Sequence, residues 1–162
     1  MKTRTRKNRH TWIIAGIIVL AFFAAWFVSR FFCQVMLIQG ESMEPSYHHL
    51  QPVLVNKHNR EFAVGDVAAF SCEGLSVVLV KRIAAGPGDT ALIRDGTLYR
   101  NGEVSECFET GVFSDAGILE TEITLGDGEY VMLGDNVAES IDSRNEAVGI
   151  VKERDIIGVL CD

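Results

Sequence analysis

No acidic residue precedes Glu41, yet the chain of 162 residues carries 22 of them. Those 22 face only 9 basic residues from Glu41 onward, because Lys2, Arg4, Arg6, Lys7, Arg9 and Arg30 account for the other six of the 15. A surface of that sign argues against nucleic acid as a partner of this part of the chain. Cysteine is scarce as well. Cys33, Cys72, Cys107 and Cys161 show no C-x-x-C spacing and no histidine at zinc-ligand distance, so no metal site is expected. Free thiols are the simpler expectation, with Cys72 and Cys107 the pair to test for a disulfide if the domain lies outside the cytoplasm. Beyond Gln34 there is no long amphipathic helical pattern, no internal repeat and no low-complexity tract.

What the first 33 residues do contain is a basic tail, 1–11, followed by WIIAGIIVLAFFAAWFV, 17 residues without a charge. An apolar block of this length crosses a bilayer, and the span extends to 12–33 if Arg30 reaches back to the headgroups. Trp12 and Trp26 suit its two interfaces, and the preceding cations place the N-terminus in the cytoplasm and the rest outside the membrane. A cleavable leader would need small residues after the apolar block. Ser29, Arg30, Phe31 and Phe32 stand there instead, which favours a retained anchor.

The remaining stretch, 34–162, is long enough for one globular domain with a core of its own. Short apolar runs at 35–38, 53–56, 67–70, 77–83, 91–94, 97–100 and 129–133 predict strands, and Asp95-Gly96 and Asn101-Gly102 predict tight hairpin turns. The pattern weakens over 103–124, where a small excursion is expected. The expected class is all-β.

One strand carries an anomaly. In VVLVKRIAAGPGD, residues 77–89, a period of two puts Lys81 in a row with Val77, Leu79 and Ile83. Burial there would favour the neutral amine, which is a base; the bland alternative is an edge-strand lysine with its head in water. Ser42, in QGESMEPS directly after the run at 35–38, is by itself an ordinary turn residue. A serine hydroxyl and a desolvated lysine, however, form a nucleophile and base. His48, His49 and His58 could suggest a serine–histidine pair, but no pattern places a carboxylate to orient them, and His10 would lie across the membrane.

G-x-S-M-x-P at 40–45, G-D at 65–66, K-R with G-P-G-D at 81–89, and G-D-N with S-x-D-S-R at 134–144, in that order behind an anchor, resemble the bacterial type I signal peptidases. The resemblance implies a catalytic domain of coiled antiparallel sheets behind one transmembrane helix. It implies Ser42 as nucleophile, Lys81 as general base and Ser140 as the hydroxyl that orients the amine. Asp142 and Arg144 would pair nearby, and Gly134, Asp135 and Asn136 would shape the presenting turn. No cofactor is implied. Gly40 stands where some relatives have a serine that helps bind the oxyanion, leaving that second donor open.

The expected function is cleavage of signal peptides from exported preproteins after a small residue, in an A-x-A type site, at the plasma membrane. Expected partners are preproteins and the lipid bilayer, with the secretion translocon a further candidate. Two other readings compete. An assembly factor built on the same scaffold, as in pilus biogenesis, would have lost the dyad, which is intact here. A tethered self-cleaving regulator would need an N-terminal DNA-binding domain, which eleven residues before the membrane do not supply.

Overall fold

The computed structural model describes residues 4–31, 33–108 and 112–161. Residues 1–3 of the expected tail, Phe32 of the expected anchor and 109–111 of the expected excursion lie outside them. Helix α1, Arg4–Phe31, holds the apolar block, and its stretch His10–Phe27 has a mean hydropathy of 2.0 with no part buried against the rest of the chain. Eighteen residues rise about 27 Å, close to the ~30 Å of a hydrocarbon layer. Cys33 already belongs to the first strand, so the helix stops short of the 12–33 boundary.

Eleven strands follow: β1 Cys33–Leu37, β2 Pro52–Asn56, β3 Val67–Cys72, β4 Val77–Ala85, β5 Thr90–Arg94, β6 Thr97–Arg100, β7 Glu103–Val104, β8 Ile123–Thr124, β9 Glu129–Leu133, β10 Val151–Lys152 and β11 Ile156–Cys161. Among the described residues all pairings are antiparallel. A seven-stranded sheet runs β1-β2-β11-β3-β4-β9-β10, and a four-stranded sheet runs β7-β6-β5-β8. Both predicted hairpin turns form: Asp95, Gly96, Asn101 and Gly102 all have positive φ, as two-residue β-turns require.

The sequence pattern missed β11, which lies between β2 and β3. Its run is interrupted by Gly158, where a Cβ would lie 2.2 Å from the Asn56 carbonyl oxygen and where the register against β3 shifts. A residue that looks like a break is therefore what lets the strand pass β2. Three apolar clusters close the domain. One joins Ala84, Ala85, Val131 and Leu133 to Phe108, Phe113 and Leu119, so the weakly patterned segment packs on the large sheet through its aromatics. A second holds Phe70, Ile83, Met132 and Ile156. The third holds Ile38, Met43, Val53, Val55 and Leu160, and it fixes the turn that carries Ser42.

Candidate active site

β4 is an interior strand with β3 on one edge and β9 on the other, which removes the edge-strand reading of its lysine. Lys81 is 2% exposed. The row of alternate residues is graded rather than uniformly buried: Val77 is open, Leu79 partly covered, and Lys81 and Ile83 buried. Ala68 faces Lys81 across the β3–β4 ladder, and its short side chain leaves room for the lysine stem. Loss of water around the amine pulls its pKa from 10.5 down to about 8; the Asp142 and Asp135 carboxylates pull the other way, and Arg144 adds to the lowering.

Ser42 lies in a turn built on buried Met43. The Tyr47 amide donates to the Met43 carbonyl at 2.9 Å and the Glu44 amide to the Glu41 carbonyl at 3.1 Å. From the other side, the Asn136 amide donates to the Ser42 carbonyl at 3.0 Å, and its side-chain amide to the Glu41 carbonyl at 3.2 Å. The result is a serine side chain whose backbone is held from both sides. Lys81 Nζ lies 2.5 Å from Ser42 Oγ, so the two groups singled out in separate stretches of sequence are in direct contact. An ammonium donates in this pair, and a neutral amine accepts the hydroxyl proton.

The 134–144 segment supplies the surroundings. A Cβ on Gly134 would sit 2.2 Å from Ser140 Oγ and 2.5 Å from the Ser42 carbonyl oxygen, so only glycine fits. Asp142 takes a two-pronged bond from Arg144, Nε to Oδ1 at 2.9 Å and Nη2 to Oδ2 at 3.0 Å, and its Oδ2 also accepts from the Gly134 amide at 3.1 Å. The pair is buried rather than lying on the surface. Arg144 further donates to the Val137, Ser140 and Asp115 carbonyls, which staples this loop to the small sheet's side of the molecule. Ser140 departs from expectation. Its hydroxyl is buried beside Gly134 with no hydrogen-bond partner, and the bond to the lysine amine is not made.

Arg82 is the residue that the sequence reading passed over. It donates Nε to Asp135 Oδ1 at 2.8 Å and Nη2 to Asp135 Oδ2 at 2.6 Å, while Nη1 reaches the Gly65 carbonyl at 2.7 Å. Asp135 therefore does more than shape a turn: it ties the loop to β4. The hydrogen bonds that Arg82 donates to the Asp135 carboxylate hold the guanidinium pKa above its ordinary value. The pattern K-R next to G-D-N was the available signal, but pairing across 53 residues has no local signature.

His49 Nδ1 accepts the Gly40 amide at 3.0 Å, and His48 lies 3.5 Å from Glu44; the Ser42 hydroxyl is taken by Lys81. The Cys72–Cys107 bridge is not formed. Both thiols are free, with Cys72 buried and donating to the Ala147 carbonyl and Cys107 exposed. Among the described residues no cluster of histidine, cysteine or carboxylate side chains could hold a metal ion. A cleft of about 330 Å³ opens beside the dyad, lined by Met36, Ile38, Met43 and the outer half of β4.

A family model described as "Signal peptidase, peptidase S26" matches residues 9–161. Signal peptidase I of Bacillus licheniformis is 31% identical over 97% of this chain and 89% of its own length. Signal peptidase I T of Bacillus subtilis (strain 168) is 32% identical over 94% of this chain and 85% of its own. The crystal structure of a signal peptidase I from Enterococcus faecalis V583 matches with a TM-score of 0.50 at 30% identity, covering 62% of this chain and 97% of that one.

Proposed function

The chain belongs to the signal peptidase family, peptidase S26, and is a peptidase that cleaves signal peptides; from that premise we propose that Ser42 is its nucleophile and Lys81 its general base, held at a membrane surface by α1. The observation that carries this is a buried amine, with a pKa of about 8, in contact with a serine hydroxyl. At pH 7 about a tenth of such an amine is neutral, enough to act as a base.

The chemistry follows from the contact. As Ser42 Oγ bonds to the scissile carbonyl carbon, its proton passes to Lys81 Nζ. The carbonyl oxygen gathers negative charge, and the Ser42 backbone N–H donates to it. Gly40 brings no side-chain donor, so a second donor is a backbone N–H or water. When the carbon–nitrogen bond breaks, the ammonium returns the proton to the departing amine and an ester on Ser42 remains. Lys81, neutral again, takes a proton from water as the water oxygen attacks the ester. Collapse returns a proton to Ser42 and releases the signal peptide's new carboxyl end. Once Ser42 is acylated the amine needs another hydroxyl to aim it. We assign that role to Ser140, whose hydroxyl is buried and unpartnered beside Gly134.

Specificity follows from the cleft. β1 is an edge strand, and β9 pairs with β4 only from Arg82 inward, so the outer half of β4 has no β9 residue beside it. An extended substrate can lie between β1 and β4 as an added strand. Residues two apart in that strand point the same way, here onto a shallow apolar floor, and a floor of this kind admits small side chains at both positions. The basic residues before the apolar block set the helix with its N-terminus in the cytoplasm and the catalytic domain outside. The bilayer is then a permanent partner, and the secretion translocon delivers the substrate.

The test is cleavage of a purified preprotein with an A-x-A site, in detergent, by the wild type, Ser42→Ala and Lys81→Ala, with the new N-terminus mapped by mass spectrometry. Cutting after the small residue by the wild type alone, with both variants folded, is expected. A folded Lys81→Ala enzyme that still cuts would show that another base is at work.

A further inference from the structure

A second cleft, about 660 Å³, lies on the other side of the Ser42 turn, and the mechanism above does not use it. Its walls are Glu44, Pro45 and Ser46 from that turn, Arg82 and the 135–138 loop, and Cys107, Phe108 and Val112 from the weakly patterned segment. Successive residues of a strand project to opposite sides, so Lys81 lines the first cleft and Arg82 the second. Asn136, whose amide holds the Ser42 carbonyl, also lines the second. The two clefts thus flank the Ser42 turn: Ser42 lines the first, and Asn136, bonded to its carbonyl, lines the second.

We infer that this second cleft receives the residues immediately downstream of the cleaved bond, the first residues of the released protein, with Cys107, Phe108 and Val112 as its far wall. The inference rests on Ser42 as nucleophile: a chain with its scissile carbonyl there has one flank between β1 and β4, and the other must leave across Arg82. Charge narrows the class of segment. Every nitrogen of the Arg82 guanidinium is engaged, by Asp135, the Gly65 carbonyl and, at 3.4 Å, Ser46 Oγ. Among the described residues Glu44 pairs with His48 alone, at 3.5 Å. The uncompensated charge of the cleft is therefore negative, and neutral or basic downstream residues fit it better than acidic ones.

Cys107 is a natural reporter, since it is exposed inside the cleft, while Cys161 is exposed on β11 and lines neither cleft. In detergent-purified full-length Ser42→Ala protein, saturating uncut preprotein is expected to slow maleimide labelling of Cys107 about tenfold and leave Cys161 unchanged. A synthetic signal peptide ending at the scissile residue should protect neither. Unprotected Cys107 with preprotein, or equal protection by the signal peptide alone, would overturn the inference. In a second arm, preproteins with two lysines or two glutamates at the second and third downstream positions are compared. The wild type is expected to cut the lysine version about three- to fivefold faster, a ratio suited to a half-exposed charge, and Glu44→Gln to bring the two within about twofold. Equal wild-type rates would overturn the charge assignment. Cleavage of either preprotein by folded Ser42→Ala protein would instead sink the Ser42 reading, so the two failures are distinct.

Discussion

Along β4, Val77 and Val78 stand open to solvent while Ile83, Ala84 and Ala85 are sealed between two apolar clusters, and Lys81 lies where one regime gives way to the other. The outer half, through Lys81, has β3 on one edge and no β9 residue on the other; from Arg82, which has partners on both edges, the inner half pairs with β9. An amine four residues further out, at the open Val77 position, would sit in water and stay charged. Two residues further in, it would be neutral and out of reach of any substrate. The boundary is where burial and access coexist, and it is where the turn from the third cluster brings its serine.

The sharpest way to break this comparison is Lys81→Met, which keeps the stem and removes the amine. Cleavage should fall about a thousandfold or more, as for loss of a base from a nucleophile–base unit, while the melting temperature holds or rises because a costly buried amine is gone. Retained activity would mean that the boundary position is incidental. Gly134→Ala comes next. Its Cβ would collide with the Ser42 carbonyl oxygen and Ser140, and a displacement of about 1 Å in a reacting group costs roughly a hundredfold in kcat/KM, with about 1 to 3 kcal/mol of stability lost to overpacking.

Proton titration gives a smaller and more specific effect. With Lys81 at about 8, kcat/KM should rise tenfold per pH unit below that value and level off by about pH 9. Stability should follow the same group. Its folded pKa lies below the unfolded 10.5, so the unfolded chain binds the extra proton between about pH 8 and 10.5, and stability climbs with pH across that window. Below pH 8 the penalty is complete and constant. Thermal melts of the wild type should show the climb, and Lys81→Met should lack it.

Arg82→Met strips Asp135 of its counter-charge. The unmasked carboxylate should raise the Lys81 pKa, lowering cleavage several-fold at pH 7 with recovery at high pH, and cost about 2 to 3 kcal/mol, less than a fully buried pair because Arg82 is partly exposed. A uniform loss at every pH would mark a purely structural role. The smallest effect belongs to the open half of the strand: Val78→Thr should raise KM two- to threefold, leave kcat alone and change stability by less than about 0.5 kcal/mol.

The sequence showed most of the strands of the large sheet because short apolar runs bounded by turn residues read as strands, and it showed both hairpins because Asp-Gly and Asn-Gly tolerate positive φ. It did not show β11, since Gly158 resolves a contact with Asn56 that no local pattern records. The same divide runs through the site. Lys81 was legible because a charge in an apolar run is locally odd, and Ser42 became legible beside it. Arg82 and the vacant bonding state of Ser140 were not, because each depends on partners brought together only by the completed sheet.

A single residue separates the end of α1 from the start of β1. Ten residues lie between Phe31 and Ser42, and their eleven steps, at most about 3.5 Å each, form a leash no longer than about 38 Å. With α1 seated in a bilayer, the hydroxyl can sweep only a shallow dome above the point where the helix surfaces. Such a blade works at a set height. On the proposed anchoring, the distance from a leader's apolar end to its cut would be a measured quantity, gauged by the enzyme's own stalk.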